Sequence, residues 1–317
     1  MMKTRSVTRI RIGDHGDLFV DSSTSVLTQL FGSSLLGVKN FRDSTFPHVQ
    51  EKSVDELINT LKKVYTHYKA CSLCIRNCRV DRTEGQKGWC GAEIKGRIYC
   101  AQTSYSEESV ISPCYEIYFA GCNMACHDCH QQGRHDNTPT DACLSASDVV
   151  NDIVSRRSEI KSIAFLGGNP DQSIFSVLVI VKHLVKKGVD LPMVWNSNAT
   201  WNPQLSPDLN KFMDLFIPDF KYGNDECALK CADIDEYVGT VKNNIGRIKS
   251  ENQVIIRHRP LLGHLECCSK PIINWISELH NSNRYFLSLL PSFYDDNSDD
   301  LEKCVEYAAS KKVSLIF

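Results

Sequence analysis

The chain has no excess of charge of either sign. Its 36 lysines and arginines nearly balance 38 aspartates and glutamates, leaving a formal net charge of -2 over 317 residues. That leaves neither a basic field for a nucleic-acid backbone nor a polybasic patch for a membrane surface. No apolar run is long enough to span a bilayer. The start, Met1-Met2-Lys3-Thr4-Arg5-Ser6-Val7-Thr8, leads into Arg9 and Arg11 and not into the apolar core of a signal peptide. The expectation is a cytoplasmic protein with no nucleic-acid or membrane partner. What the chain does have is cysteine, fifteen in all. An odd number clustered at metal-like spacings is a hazard in an oxidising compartment and reads as ligands.

Length gives a prior of about two domains, and the pattern divides the chain into three stretches. Residues 1–69 form an amino-terminal extension with one clear helix from Val54 to Tyr68. Its stripe is Val54, Leu57, Ile58, Leu61, Val64, Tyr65 and Tyr68, opened by a Ser53-x-x-Glu56 capping box. Residues 70–112 are turn-rich, with Gly85, Gly88, Gly91 and Gly96, and too polar for a core of their own. They carry Cys71-x-x-Cys74-x-x-x-Cys78 and then Cys90, four ligands that suit either a structural zinc or a 4Fe-4S cluster. The segment needs such a metal to fold.

Residues 113–317 alternate apolar runs with helical patterns. Strands are expected at Tyr115 to Ala120, Ser162 to Leu166, Met193 to Asn196, Leu215 to Phe220, Val254 to Arg257 and Tyr285 to Leu290, with a last one at Val313 to Phe317. Helices are expected at Ser147 to Arg156, Ile174 to Lys187, Asp233 to Lys249, Lys270 to Leu279 and Asp300 to Ala309. Repeated βα units of this kind predict an α/β fold, a partial (β/α)6 barrel of the TIM type, with chemistry at the C-terminal strand ends.

The strand ends carry unusual motifs. The first leads into Gly121-Cys122-Asn123-Met124-Ala125-Cys126-His127-Asp128-Cys129-His130, three thiols on one loop. Three thiolates fill three corners of a metal site, so the fourth goes to His127, to His130, to a distant cysteine or to a bound cosubstrate. The second strand ends at Gly167-Gly168-Asn169-Pro170, the third at Trp195-Asn196-Ser197-Asn198, the fourth at Pro218-Asp219-Phe220-Lys221-Tyr222-Gly223, the fifth at Arg257-His258-Arg259-Pro260 and the sixth at Leu289-Leu290-Pro291. All six motifs reach one rim.

This ordered set resembles the radical S-adenosylmethionine superfamily, and within it the branch similar to pyruvate formate-lyase-activating enzyme, in members with an extra cysteine cluster ahead of the barrel. Glu107-Glu108-x-x-Ile111-Ser112 and Gly263-His264-Leu265-Glu266-Cys267-Cys268 look like the same branch. The resemblance implies that Cys122, Cys126 and Cys129 hold a 4Fe-4S cluster whose fourth iron binds S-adenosyl-L-methionine. Gly167, Gly168, Asn169 and Pro170 would accommodate the methionine amino group, and Lys221 and Arg257 its carboxylate. Asp219 matches a position near a monovalent cation, with Asn196 and Ser197 as neighbours, and Asn198 joins the cofactor-binding residues. Cys267 or Cys268 would serve catalysis by donating hydrogen to a substrate radical, and His258 and His264 could touch substrate.

The implied enzyme takes electrons from a flavodoxin- or ferredoxin-type reductant and abstracts hydrogen from a small molecule, sugar or peptide. One alternative is an activating enzyme for a glycyl-radical partner protein. The other is a noncatalytic iron-sulfur or zinc protein with His127 or His130 completing the triad. Two positions depart from the branch: Asp128 stands where an aromatic residue is usual, and Ser292-Phe293-Tyr294 follow Leu-Leu-Pro where a histidine is expected. Cys100, Cys114, Cys143, Cys227, Cys231 and Cys304 read as small packed residues.

Overall fold

A computed structural model describes residues 11–12, 18–19, 50–129, 131, 143–279, 284–291 and 298–316. Two two-residue strands, β1 (Arg11–Ile12) and β2 (Leu18–Phe19), pair antiparallel. The rest is organised on an eight-stranded sheet. Its strands are β3 (Ile98–Ser104), β4 (Cys114–Phe119), β5 (Ser162–Gly167), β6 (Met193–Ser197), β7 (Leu215–Pro218), β8 (Gln253–His258), β9 (Tyr285–Leu289) and β10 (Leu315–Ile316). They lie in strict chain order, with β3 at one edge and β10 at the other. From β4 to β10 every pairing is parallel, and β3 alone runs antiparallel. The fold is α/β, a partial barrel whose sheet does not close, as the alternating pattern predicts. β3 is the strand that the pattern did not supply, and it begins inside the stretch read as a cysteine-rich segment.

Side chains alternate across each strand, and the two faces differ. One face carries Ile117, Phe119, Ile163, Phe165, Met193, Trp195, Phe216, Val254, Ile256 and Leu287 into the main core beneath the helices. The other carries Cys114, Ala164, Val194, Leu215, Ile217, Ile255, Phe286 and Ile316, joined by Val110 and Ile111, into a smaller apolar floor. Two residues further along the same face the chemistry changes to Glu116, Leu166, Asn196, Asp219, Arg257 and Ser288. The concave side therefore has an apolar bottom and a polar top, and the top is the C-terminal rim.

Eight helices flank the strands among the described residues: α1 (Val54–Lys69), α2 (Ala146–Arg156), α3 (Ile174–Lys186), α4 (Ser206–Phe212), α5 (Asp225–Ala232), α6 (Tyr237–Gly246), α7 (Lys270–Ser277) and α8 (Ser298–Ser310). Ser53 caps α1, accepting from the Glu56 amide, and Leu57, Leu61, Val64 and Tyr68 are buried on its inner face, which packs against α3. The chain enters the barrel through a buried ion pair, Lys52 to Asp214 at 2.8 Å. Asp214 also accepts from the amides of Gln50 and Met193, both at 2.8 Å. The single helix expected from Asp233 to Lys249 is instead the end of a longer segment split in two. Asp233 and Glu236 adopt positive φ, 50° and 51°, so α5 stops at Ala232 and α6 starts at Tyr237. Phe317, His130 and Ser292-Phe293-Tyr294 lie outside the described residues.

Candidate functional site

The cysteine triad sits on the loop leaving β4, entered through Gly121 at φ +91°. The loop is tied from three sides. Asn169 donates its amide to the Gly121 carbonyl at 2.9 Å, and Gly168 donates to Phe119 at 2.8 Å. On the opposite side Ala125 and His127 donate to the carbonyls of Ala232 and Cys231, the last turn of α5, at 2.9 and 3.0 Å. From below, fully buried Asn123 receives the Asn198 side-chain amide at 2.7 Å and donates to the Thr200 hydroxyl at 2.7 Å, which in turn donates to Asn198 at 2.6 Å. This closed triangle satisfies polar groups that would otherwise be costly to bury.

One cavity opens at this rim. Its lining includes Cys122, Cys126 and Cys129, then Gly167, Gly168 and Asn169, then Asn196, Ser197 and Asn198, then Asp219, Lys221 and Arg257. With Leu290 also in the lining, motifs from six strand ends converge. Pro170 is buried behind the lining in a short 3-10 turn. Cys267 and Cys268 do not line the cavity, and neither does His127, which is exposed. Among the described residues no fourth cysteine reaches it. His258 is also elsewhere: it is buried, with Nδ1 at 2.8 Å from the Phe220 carbonyl and Nε2 at 2.9 Å from the Ser269 hydroxyl.

Gly167 has a structural role of its own. At φ +126°, a Cβ there would stand 2.3 Å from the Phe119 amide nitrogen, so β4 and β5 can meet at the rim only over a bare backbone.

The cavity is electrostatically mixed. Burial pushes the Cys122 thiol upward and the Cys126 thiol up to about 11, although Lys221 and a hydrogen bond from Tyr222 pull the latter down. A cation or cluster taken here must therefore displace protons. Lys221 donates to Asp219 at 2.7 Å; burial opposes its charge, but Asp219 and then Cys126 hold its pKa above the ordinary lysine value. Arg257 is already matched. Its Nε donates to Glu108 at 2.8 Å, and the same guanidinium pairs with Glu107. Burial would raise Glu108, yet Arg257 keeps it below the usual carboxylate range. Glu116, buried and beside Glu107, is pushed well up and accepts from the Tyr118 hydroxyl at 2.6 Å.

The sequence reading passed over Arg259 and Tyr222 as site residues. Both line the cavity, and Arg259 lies in the field of Asp219 and Asp128. The available signal was position: each stands inside a strand-end motif, one or two residues past Lys221 or Arg257.

The four amino-terminal cysteines are also brought near one another. Cys71, Cys74 and Cys90 are buried and Cys78 is half-buried. Backbone bonds Cys71 to Val80 and Arg79 to Cys71 fold the segment back on itself, and a bridge from Cys74 to Trp201 ties it to the barrel. Arg82, almost fully buried, donates to the Cys90 sulfur at 3.0 Å. Burial opposes its charge, but Cys90 and Cys71 hold its pKa above the ordinary value. A donor set of four thiols around a buried guanidinium suits an anionic thiolate centre. Arg76, between Cys74 and Cys78, donates to the Asn123 carbonyl of the triad loop at 3.0 Å and stacks on Trp89.

Residues 114–232, from β4 to the end of α5, match the family model of a 4Fe-4S single cluster domain. Over 298 residues the chain is 29% identical to Uncharacterized protein MJ0674 of Methanocaldococcus jannaschii, covering 88% of this chain and 85% of that one. Among solved structures it is similar to a radical SAM methyltransferase from Sphaerobacter thermophilus, with TM-score 0.48, 12% identity and coverage of 64% of this chain and 66% of that one, just under two thirds. It is also similar to QueE from Escherichia coli, with TM-score 0.47, 14% identity and coverage of 71% and 94%.

Proposed function

We propose that this chain is a radical S-adenosylmethionine enzyme acting on a small molecule, sugar or peptide. The observation that carries the reading is the shared cavity: three thiols of one loop face Gly168, Asn169, Asn198 and Lys221, with no fourth cysteine among the described lining residues. In this reading Cys122, Cys126 and Cys129 hold the 4Fe-4S cluster, and the open corner belongs to S-adenosylmethionine. Held by these three thiolates, a cluster would supply the electron for reductive cleavage of the cosubstrate's sulfonium carbon-sulfur bond, and with it the means to abstract hydrogen from a substrate.

The chain's own residues supply orientation and shielding. Lys221, paired with one carboxylate and partly open to the cavity, is better placed for the cosubstrate carboxylate than Arg257, which is more buried and paired with both Glu107 and Glu108. Arg259 and Asp128 give the far wall its polarity, where an adenine or a substrate hydroxyl would be read by hydrogen bonds and not by stacking. The Asn123-Asn198-Thr200 triangle keeps the triad loop in register. His127, exposed and outside the lining, argues against a closed noncatalytic centre completed by that residue. The amino-terminal quartet would hold a second centre, a 4Fe-4S cluster or a structural zinc.

The test is anaerobic. Reconstituted protein with a low-potential reductant, dithionite or reduced flavodoxin, should convert S-adenosylmethionine to 5′-deoxyadenosine, and a deuterated substrate should pass its label into that product. No 5′-deoxyadenosine from protein whose iron content and spectrum show a loaded triad would overturn the reading.

A further inference from the structure

Cys227 lies on α5, after β7, and His264, Cys267 and Cys268 lie in the turn after β8. That turn is a π-helical segment, Leu265–Ser269, in which the amides of Cys268 and Ser269 both reach the His264 carbonyl. The winding puts three side chains from five residues on one face, at i, i+3 and i+4. The fourth comes across from α5. The four ligand atoms all lie within 4.8 Å of one another.

We propose that Cys227, His264, Cys267 and Cys268 form a tetrahedral zinc site, separate from the central cavity, that fixes α5 over the cysteine triad. The separations match. His264 Nδ1 is 3.5, 3.4 and 3.8 Å from the sulfurs of Cys227, Cys267 and Cys268, and Cys267 Sγ is 3.9 Å from Cys227 and 4.0 Å from Cys268. A tetrahedron built on Zn–S bonds of about 2.3 Å and Zn–N bonds of about 2.0 Å has edges of roughly 3.5 to 3.8 Å. The set is three thiols and one imidazole, borderline-soft donors that select zinc over the hard cations. Binding forms three Zn–S bonds and one Zn–N bond and sends three thiol protons to solvent, with no change of oxidation state.

The surroundings are built for it. Asn224, the cap residue of α5, points its side-chain amide at the Cys227 sulfur at 3.3 Å, the Cys268 sulfur at 3.9 Å and the Cys267 carbonyl at 2.8 Å, the donor that a site of net negative charge needs. Gly223 lets the two loops meet, since a Cβ there would stand 2.4 Å from the Cys268 carbonyl oxygen. The position explains the effect. The far end of α5 supplies the carbonyls that hold Ala125 and His127, so an ion gripping Cys227 immobilises the helix on which the triad loop hangs.

The test uses the full chain purified under reducing conditions. Wild type should carry about one zinc more per chain than Cys267→Ser, whose thiol is exposed, and than His264→Asn, with residual occupancy of roughly a tenth or less. The same difference should persist when Cys122, Cys126 and Cys129 are all alanine, which separates the site from the triad. Cobalt should replace zinc and give the visible bands of a tetrahedral thiolate site. In both variants the amides of residues 122–129 should exchange with deuterium roughly tenfold faster or more. Equal zinc in wild type and folded variants, or a reduced wild type that takes up neither zinc nor cobalt, overturns the site. Zinc loss with unchanged exchange in residues 122–129 overturns its positioning role.

Discussion

The triad and the amino-terminal quartet are both cysteine sets on loops, yet their surroundings differ in kind. Three of the quartet thiols are buried, and the set encloses its own cation, Arg82, which has a sulfur as its near partner. The triad thiols are only partly covered, they face a cavity, and their nearest cation, Lys221, is partly open to that cavity and shared with Asp219. A set with a buried cation beside one of its sulfurs is matched where it stands. One whose cation is shared with an open cavity has room for a further group. The two sets are therefore expected to respond differently when their ligands are changed.

The largest effect tests that division directly. Cys122→Ser should remove about four irons per chain and lower 5′-deoxyadenosine formation by at least about a thousandfold, while the quartet keeps its metal by elemental analysis. Loss of metal from both centres would erase the distinction. Next, Arg82→Leu should leave a sealed thiolate set without its countercharge and cost roughly 3 kcal/mol in denaturant melts, with metal lost from the quartet first. An unchanged melt would mean that the cation is incidental.

A third, similar effect is read by pH. The Phe220 carbonyl can only accept, so His258 carries its proton on Nδ1 and accepts at Nε2 from Ser269. Burial holds its pKa down to about 4 from an ordinary 6.5. The unfolded chain thus binds a proton that the folded chain refuses. Stability from this group is complete above about 6.5 and is lost as pH falls toward about 4, a total of about 3 kcal/mol. Unfolding curves of wild type and His258→Gln across that window should converge on acidification; parallel curves would contradict the buried neutral imidazole. The smallest effect belongs to the rim. Asn198→Ala should cost about 1 to 2 kcal/mol through the broken triangle and loosen S-adenosylmethionine binding, without touching the quartet.

Much of the architecture was legible because apolar alternation is a local signal. Six parallel strands and the rim motifs follow from it, and the triad, Gly167, Gly168, Asn169, Asn198, Asp219, Lys221 and Arg257 do share a cavity. What was hidden was tertiary. β3 is an edge strand whose residues are mostly half-buried, so it lacks a clean alternation. The break at Asp233 and Glu236 depends on left-handed backbone that no glycine announces. Arg257 reads as a cation for an anion until Glu107 and Glu108, about 150 positions earlier in the chain, are seen against it. Cys227 looked like a packing residue because its partners begin at His264, across a helix and a strand.

Arg76 stands between two ligands of the quartet and holds the backbone of the triad loop through the Asn123 carbonyl. The consequence concerns the order of assembly in the cell. The turn that carries Arg76 is already held by the Ile75 and Arg79 amides, which donate to Thr200 and Cys71. A metal taken by the quartet would tighten that turn further, and through Arg76 the triad loop with it. Filling the quartet should therefore favour filling the triad more than the reverse.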